Sequence, residues 1–485
     1  MGRSYPRRAD WRSENGTVWS SLAVYPIERL QVKESAVSKP APRNAVSFDF
    51  IADLKADFEA DHKARLAQNA VTQTPADKVA LNRSVVTNSP YSFSTQLDDW
   101  KVTNQKRSGR CWMFAALNLL RVDAMKTLGI KNFEFSQNYT LFWDKFERSN
   151  YFLEEILRTQ DRDVDDRLVA FMLSEPLSDG GQWNMAVNII HKHGLVPKSV
   201  MPETESSSST GQMNKVLKYK LREGAYRLRK AASEGHAEEE LQELKKETLQ
   251  AIWNILCIHL GTPPDRFDWQ WRDKDKNFHR KGLVTPQEFA RDTMGEDLSD
   301  YVCLVHDPRP ENPYQQTYTV EFLGNVAGGD PVVYLNTEIS TIKRLAMEAL
   351  EGGLPVWFGC DVGRQMHRGL GLWDAKLYDF ENLYGTTFDL DKAGRLHHHQ
   401  TLMTHAMLLT GVDVVDGSPR RWKVENSWGE TGGEKGFYLM NDSWFDEYVF
   451  EIAVPRSMLS KNDLDGLKTE PKVLPAWDPM GALAR

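Results

Sequence analysis

The sequence predicts an α+β fold in which a mainly helical part precedes a mainly β part. Long helix-forming runs lie in the first half of the chain, over residues 111–128 and 137–158. From about residue 300 onward, short β-branched and aromatic runs alternate with Gly, Pro and Asp turns. A chain of 485 residues is also too long for one simple core. We therefore expect a helical lobe that faces a β-rich lobe, with a cleft between them.

The helical part can be divided at its own start and stop signals. Residues 48–69 carry apolar side chains at three- and four-residue spacing, which predicts an amphipathic helix. Residues 96–110 have the composition of a loop. The run over 111–128 predicts a helix that Gly129 ends, and Ser136 is the predicted N-cap of the next helix.

A charged block follows the first lobe. Residues 202–212 (PETESSSSTGQ) have the composition of a linker, and residues 213–262 predict a long amphipathic helical segment. Such a segment forms either a helical interaction arm or a solvated helix packed on its own core. The predicted strands after residue 300 are YTVEFLGNV, DPVVYLNT, LPVWFGCDV, LMTHAMLLTGV, RRWKVENSW, KGFYLMND and YVFEIAV.

These signals predict five segments. Their boundaries are 1–45 for a disordered or targeting arm, 46–205 for the helical lobe, 206–300 for a helical insertion, 301–460 for the β-rich lobe, and 461–485 for a C-terminal arm. The C-terminal stretch 465–485 has three prolines and neither a helical nor a strand period, which is typical of an extended arm.

The composition limits the classes of function. The chain is 41% hydrophobic and 26% charged, which is typical of a globular protein. Its net charge of −8 argues against a globally basic nucleic-acid binder, although local basic stretches such as 106–110 leave weak binding possible. No apolar run approaches about 18 residues, so we expect no membrane span.

The N-terminus and the cysteines indicate where the protein acts. Residues 1–45 contain no apolar secretory segment, but their arginines keep a mitochondrial form possible. The four cysteines are scattered and form no CxxC pair, which favours free thiols in a reducing compartment. We expect a cytoplasmic protein.

One of these cysteines has the setting of a nucleophile. Cys111 follows a loop and begins a predicted helix. Backbone N–H groups and the helix dipole at that position favour an anion, so the sequence predicts a lowered thiol pKa. The alternative is a buried, unreactive cysteine that acts only as a small hydrophobic side chain.

Three further residues supply the other parts that thiol catalysis needs. His405 is a titratable residue within an apolar strand-like run, where it can act as the base. Asn426 follows the next predicted strand, where its amide can orient the imidazole. Gln105 precedes the cysteine by one short loop and can donate its amide to an oxyanion.

A metal or organic cofactor is not expected. The three consecutive histidines at 397–399 lack an accompanying Cys or carboxylate ligand pattern. Residues 389–394 (DLDKAG) lack the rest of a calcium-binding loop.

The motifs NQKRSGRCWMF, DGGQW, LMTHAM, VENSWG and KGFYLM, in this order, resemble the papain superfamily of cysteine proteases. The resemblance implies a two-lobe papain-like fold with a β-barrel-like second lobe. It also implies that Gln105 is the oxyanion donor, Cys111 the nucleophile, His405 the base and Asn426 the residue that orients it. Trp428 would shield the His–Asn hydrogen bond, and Gly180 and Gly181 would present their backbone to an extended substrate.

Departures from the papain pattern indicate a particular branch. Ser108 stands where secreted relatives carry a second cysteine. The separation of Cys111 and His405 is about twice the ~130–150 residues typical of papain. With the long helical insertion and the ending WDPMGALAR, these features resemble the bleomycin hydrolase family of intracellular cysteine aminopeptidases.

This closer resemblance implies a homohexamer that acts on peptides with a free N-terminus and on related amides such as bleomycin. It further implies that the C-terminal arm lies in the cleft and that a terminal carboxylate receives the substrate's amino group. We expect Arg485 to be trimmed, so that Ala484 carries this carboxylate. Two alternatives stay open: an endopeptidase with an open cleft, and a nucleic-acid-binding or scaffolding hexamer in which the peptidase site is incidental.

Overall fold

The computed structural model describes residues 45–97, 100–295 and 298–483, which form two units, 45–65 and 66–483. Nearly all of the predicted N-terminal arm therefore lies outside the described residues, as do Ala484 and Arg485.

The regular elements are numbered in chain order. The α-helices are α1 (Phe48–Ala60), α2 (His62–Val71), α3 (Ala76–Ala80), α4 (Arg83–Thr87), α5 (Cys111–Leu128), α6 (Gln137–Arg158), α7 (Arg167–Ser174), α8 (Trp183–His193), α9 (Glu205–Ser208), α10 (Gly211–Ser233), α11 (Glu238–Leu260), α12 (Pro286–Thr293), α13 (Ile339–Glu351), α14 (Phe380–Tyr384), α15 (Lys392–His397), α16 (Asp442–Tyr448) and α17 (Lys461–Gly466). The strands are β1 (Thr95–Gln96), β2 (Phe267–Arg272), β3 (Phe278–Val284), β4 (Tyr301–Val305), β5 (Gln316–Val320), β6 (Tyr334–Asn336), β7 (Val356–Cys360), β8 (Met366–His367), β9 (Leu372–Trp373), β10 (His405–Val415), β11 (Ser418–Glu425), β12 (Phe437–Asn441), β13 (Val449–Pro455) and β14 (Lys472–Leu474).

The helix predicted over 48–69 is interrupted. Asp61 separates α1 from α2, and its carboxylate accepts hydrogen bonds from the backbone N–H groups of Lys63 at 2.8 Å and Ala64 at 3.0 Å. A short acidic side chain that bonds the following N–H groups caps a new helix and so competes with continuation of the old one. The apolar spacing continues through this break, which is why the pattern alone did not reveal it.

Helix α5 begins and ends where the sequence predicts. Gly129 ends it in the left-handed conformation at φ 65°, and Ser136 caps α6 by accepting from the Tyr139 N–H at 3.0 Å. Helix α5 is buried on nearly all sides because β7 and β10 contact one side of it and α6 and α8 contact another. Its first residue is thereby fixed between the helices and the sheet.

The predicted insertion contains more than one long helix. Residues 213–262 form most of α10 and α11, which pack on each other around a turn at Gly235 (φ 81°). Strands β2 and β3 follow as an antiparallel hairpin that the sequence analysis missed. In β2 the aromatic residues alternate with Asp and Gln, and Trp269 and Trp271 stack on one face with ring centroids 5.5 Å apart.

The later strands form one sheet. Within the described part of the chain its order is β14-β5-β6-β4-β13-β7-β10-β11-β12-β9-β8, with β1 also paired to β10. The predicted strand runs are all present, whereas β4 and the helix α13 were not predicted. Strand β10 lies between α5 and α13, which explains its nearly continuous apolar sequence.

The register of two strands places the end of one beside the start of the other. Strands β10 and β11 are antiparallel, and Leu408 pairs with Glu425. The chain beyond Glu425 therefore runs back along the first residues of β10, which brings Asn426 beside His405.

No helix within the described ranges combines the length and the apolar character that a membrane crossing needs.

Candidate active site

Cys111 is the first residue of α5 and is fully buried. The preceding residue, Arg110, is also inaccessible. Its guanidinium donates to both carboxylate oxygens of Glu203, at 2.9 and 2.7 Å, and lies over the Phe114 ring. A buried bidentate ion pair of this kind holds the backbone immediately before the thiol in one position.

The environment of the thiol corrects the predicted pKa. Burial raises the pKa of Cys111 to about 12, and the carboxylate of Asp179 acts in the same direction. The backbone N–H groups of Ala406, Trp112 and Cys111 itself act in the opposite direction, as expected at a helix N-terminus, but more weakly. The prediction of a lowered thiol pKa is therefore wrong for this conformation, because the sequence did not show how completely the sulfur is buried.

His405 and Asn426 lie together as the strand register requires. His405 Nε2 is 3.0 Å from Asn426 Oδ1, and the same oxygen accepts from the Ser427 N–H at 2.7 Å, which fixes the amide. Since Oδ1 only accepts, Nε2 carries the proton and Nδ1 is the nitrogen left to exchange a proton with a thiol. Burial lowers the pKa of His405 to about 4, against the opposing effect of the Asn426 bond, so the imidazole is neutral at neutral pH.

Trp428 lies against this pair. Its ring centroid is 5.0 Å from that of His405, at an interplanar angle of 34°, and the guanidinium of Arg368 lies 5.0 Å above the indole. The indole therefore lies against the imidazole, and shielding of the His405–Asn426 hydrogen bond by Trp428 stays a prediction.

Gln105 is held by two serine residues. Its Nε2 donates to the Ser108 carbonyl oxygen at 2.6 Å, its Oε1 accepts from the Ser427 hydroxyl at 2.6 Å, and its backbone N–H donates to the Ser427 carbonyl oxygen at 2.8 Å. The amide orientation is thus fixed, and its second N–H is free of these bonds. Ser427 was not predicted as a site residue, although it lies within the Asn-Ser-Trp-Gly run that carried the resemblance.

The sequence analysis also missed a buried carboxylate, Asp179, beside the loop that precedes Cys111. Asp179 forms an ion pair with Lys145 at 2.6 Å and accepts from the Asn214 side chain at 2.7 Å and the Gly109 N–H at 3.1 Å. Although burial would raise it, the Lys145 ammonium and these hydrogen bonds hold the pKa of Asp179 well below its ordinary value. Asp179 therefore joins the loop before Cys111 to α6 and to the insertion helix α10.

The two predicted glycines are both buried. A Cβ on Gly181 would lie 2.5 Å from the Trp112 ring, and Trp112 cannot readily move because its Nε1 donates to the Asp179 carbonyl oxygen at 2.7 Å. Packing against Trp112 is thus one reason for a glycine at 181. Substrate contact by Gly180 and Gly181 stays a prediction.

The C-terminal arm is attached at several points. Strand β14 pairs in parallel with β5, Asp478 forms a bidentate pair with Arg309 at 2.8 and 3.0 Å, and Gln182 donates to the Ala482 carbonyl oxygen at 2.6 Å. The arm also contains α17 and β14, although no regular structure was predicted for it. Ala482 shares a cavity of about 350 Å³ with Ser178, next to the turn that leads to Gly181.

This combination defines a class of protein. A cysteine at a helix N-terminus, a His–Asn pair on a facing sheet and a fixed glutamine beside the cysteine are the parts of a papain-like cysteine peptidase site. Comparison with known proteins agrees: residues 45–481 match the sequence model of the peptidase C1-like family, and the chain belongs to this family.

Relatives match this chain almost from end to end. Aminopeptidase C of Streptococcus thermophilus is 43% identical over 441 residues, covering 91% of this chain and 99% of the relative. Bleomycin hydrolase of Homo sapiens is 43% identical over 444 residues, covering 90% and 98%. The crystal structure of PepW from Lactobacillus rhamnosis superposes with a TM-score of 0.90 at 45% identity, covering 91% of this chain and all of that chain. The predicted fold class and family resemblance are confirmed.

Proposed function

We propose that this protein removes N-terminal residues from peptides by a Cys–His–Asn acyl-enzyme mechanism. The chain is a cysteine aminopeptidase of the peptidase C1-like family. The observation that carries the proposed residue roles is the His405–Asn426 hydrogen bond, made beside a helix N-terminus that carries Cys111 and a glutamine fixed in the same loop.

The first half of the reaction forms a thioester. The Cys111 thiol gives its proton to His405 Nδ1 while the sulfur attacks the carbonyl carbon of the first peptide bond. The developing oxyanion receives hydrogen bonds from the Cys111 backbone N–H and the free amide N–H of Gln105. When the tetrahedral intermediate collapses, the C–N bond breaks and His405 protonates the departing amine.

The second half releases the amino acid. The neutral His405 removes a proton from water, the resulting hydroxide attacks the thioester carbonyl, and the Cys111 sulfur leaves and regains a proton. Asn426 keeps the imidazole in the tautomer that presents Nδ1 in both steps. No metal or organic cofactor takes part in this scheme.

The pKa shifts are consistent with a neutral resting pair. Burial raises the pKa of Cys111 and lowers that of His405, and both shifts favour the uncharged thiol and imidazole before substrate binds. Proton transfer then accompanies attack on a bound substrate. A thiol that stays protonated until substrate binds is also protected from unwanted alkylation and oxidation.

The C-terminal arm supports exopeptidase selectivity. The Gln182–Ala482 hydrogen bond holds the arm beside the turn at 178–181, where it limits the space for residues that precede the scissile bond. We propose that Arg485 is trimmed and that the carboxylate of Ala484 receives the substrate's amino group. One relative carries the name bleomycin hydrolase, and we propose bleomycin as a further amide substrate of this protein. An intact Arg485 in the mass spectrum of fully active enzyme would contradict the trimming.

A paired substrate tests the proposal. One short peptide and its N-acetylated form are incubated with the enzyme, with Cys111→Ala and with alkylated enzyme. Stepwise release from the free peptide alone, abolished by either treatment of the cysteine, is the expected result. Internal cleavage of both peptides would instead indicate an endopeptidase, and no turnover would favour a binding or scaffolding role.

Three further proposals rest on the family resemblance and on charge. They are homohexamer formation, a cytoplasmic location with a possible mitochondrial form, and weak nucleic-acid binding. Sedimentation of the full chain tests the first. Cell fractionation tests the second. Salt-sensitive DNA binding that persists in Cys111→Ala tests the third.

A further inference from the structure

A groove of about 730 Å³ opens beside the candidate catalytic residues. Gln105, His405 and Trp428 line it. Lys106 and Arg107, from the loop that precedes Cys111, line it as well. If His405 protonates the departing amine, as proposed above, the leaving group lies on the His405 side of the scissile bond. No described residue of the C-terminal arm lines this groove, since Gln182 holds Ala482 in the other cavity. The groove is therefore open to residues that follow the cleaved bond.

The carboxylates that line this groove are already paired. Glu175 forms an ion pair with Lys218, and Asp179 forms one with Lys145. A third carboxylate, Asp361, forms an ion pair with Arg364 at 3.1 Å. The negative charge of the groove wall is thus locally neutralised.

Lys106 and Arg107 differ from the other charged residues of the groove. Both side chains are exposed, and neither has an ion-pair partner among residues 45–97, 100–295 and 298–483. The groove therefore carries two unpaired positive charges next to the leaving-group position, which is the electrostatic complement of a carboxylate.

The backbone at these two residues is unusual and well fixed. Lys106 has φ 56°, a left-handed conformation that glycine adopts more easily than lysine does. Asn104 Oδ1 accepts the Lys106 N–H at 2.9 Å, and the Arg107 N–H donates to the Ser208 carbonyl oxygen at 2.9 Å. These bonds fix the backbone from which both cationic side chains extend into the groove.

We propose that Lys106 and Arg107 bind a carboxylate on the leaving-group side of the substrate and so give the enzyme a preference for acidic leaving groups. The carboxylate is either the side chain of an Asp or Glu that follows the cleaved bond, or the C-terminus of a dipeptide. This specificity rests on the proposed aminopeptidase reaction and concerns the same site.

Three peptides that differ only at the second residue test the proposal. They share one N-terminal residue and carry Glu, Gln or Lys next, and kcat/KM is measured at low and high salt. The Glu peptide should exceed the Gln peptide by about three- to tenfold at low salt, mainly through KM, and the Lys peptide should be the poorest. A dipeptide and its C-terminal amide test the second source of the carboxylate in the same way.

The double variant Lys106→Gln/Arg107→Gln should bring the Glu-to-Gln ratio close to one. Lys106→Gly, which suits the left-handed backbone, removes one charge without strain and should reduce the ratio partially. Lys276→Gln is the matched control, because Lys276 is also an exposed lysine with positive φ (69°) but lies in the turn between β2 and β3. Unchanged Tm values show that the variants fold.

The outcomes separate this inference from the proposed function. Turnover of all three peptides with equal kcat/KM, or a charge preference that persists in the double variant, would overturn the inference and leave the aminopeptidase function standing. No turnover of any peptide would overturn both. A preference that the double variant loses and Lys276→Gln keeps is the expected result.

Discussion

Removal of one carboxylate should detach the C-terminal arm. Asp478 makes a bidentate ion pair with Arg309, at 2.8 and 3.0 Å, and both side chains are less than a tenth exposed. Asp478 also caps the short 3-10 helix Pro479–Gly481 by accepting from the Met480 N–H at 2.9 Å. In Asp478→Ala both interactions disappear together.

The loss of free energy in Asp478→Ala depends on which interaction Arg309 keeps. Loss of one partner from a buried ion pair typically costs about 3–5 kcal/mol, because the other charge is left unpaired. Here Arg309 keeps Asp307, whose carboxylate lies 2.7 Å from the guanidinium, so we expect a smaller loss of about 2–3 kcal/mol. Since 1.4 kcal/mol corresponds to a factor of ten, the population of the released arm should rise about 30- to 140-fold.

Hydrogen exchange measures the release of the arm, and substrate selectivity measures the effect of that release on the cleft. Exchange of residues 475–483 should become faster in Asp478→Ala, and the N-acetylated peptide should begin to be cleaved because the arm no longer limits the cleft. Asp465→Ala is the control: Asp465 pairs with Lys461 at 2.7 Å and Lys468 at 2.8 Å, but these ion pairs are exposed.

Two results would each contradict one of these expectations, the energy of the Arg309 attachment or the exclusion of blocked substrates by the arm. Unchanged exchange over 475–483 would refute the energetic argument for the Arg309 attachment. Faster exchange without cleavage of the blocked peptide would keep that argument but would show that the arm does not exclude blocked substrates.

Three further predictions test the burial of particular groups. Because the pKa of Cys111 is raised to about 12 and that of His405 lowered to about 4, iodoacetamide should inactivate the enzyme about tenfold faster for each pH unit between 6 and 9; a rate that is already constant at pH 6 would indicate a thiolate–imidazolium pair instead. Burial raises the pKa of Glu451 from 4.5 to about 8, so the folded state holds a proton that the unfolded state releases, and stability should fall by up to about 3–5 kcal/mol as pH rises from about 4.5 to 8. Urea denaturation should show this fall for the wild type and a flatter profile for Glu451→Gln, and equal profiles would contradict the assignment. Gly181→Ala places a Cβ 2.5 Å from the Trp112 ring and should lower stability by about 1–3 kcal/mol, whereas a Tm equal to that of the wild type would show that the ring can move.

The sequence predicts those features that depend on local signals. Helix α5 was placed correctly because a helix-forming run ends at a glycine, and Ser136 because a serine precedes a helical pattern. The strands that carry the site were placed by their apolar runs, and the motif order then joined residues far apart in the chain.

What the sequence did not reveal depends on contacts between distant residues. The Asp179–Lys145 ion pair joins a loop to a helix interior, and no local pattern marks Lys145 as buried. The thiol pKa was mispredicted for the same reason, since burial of Cys111 comes from the packing of the sheet and helices around it. The break at Asp61 was local, but the apolar spacing across it concealed the cap.

Ser427 shows how the two halves of the site are kept in register. Its hydroxyl donates to Gln105 Oε1, its carbonyl oxygen accepts from the Gln105 N–H, and its own N–H donates to Asn426 Oδ1. One residue therefore fixes both the proposed oxyanion donor, on the loop before α5, and the amide that orients His405, at the end of β11. Gln105 and Asn426 cannot shift independently while these three bonds persist.

This arrangement also explains how the chain can carry so long an insertion between Cys111 and His405. The helices α10 and α11 and the β2–β3 hairpin enter after α9 and end before β4, whereas the contacts that set the catalytic geometry run from the loop before α5 to the residues after β11. Added length costs little when the ends of the insertion are fixed by the elements on either side. The insertion reaches the site mainly through α10, where Asn214 bonds Asp179. It can therefore reshape the groove around a substrate without disturbing the His405–Asn426 pair.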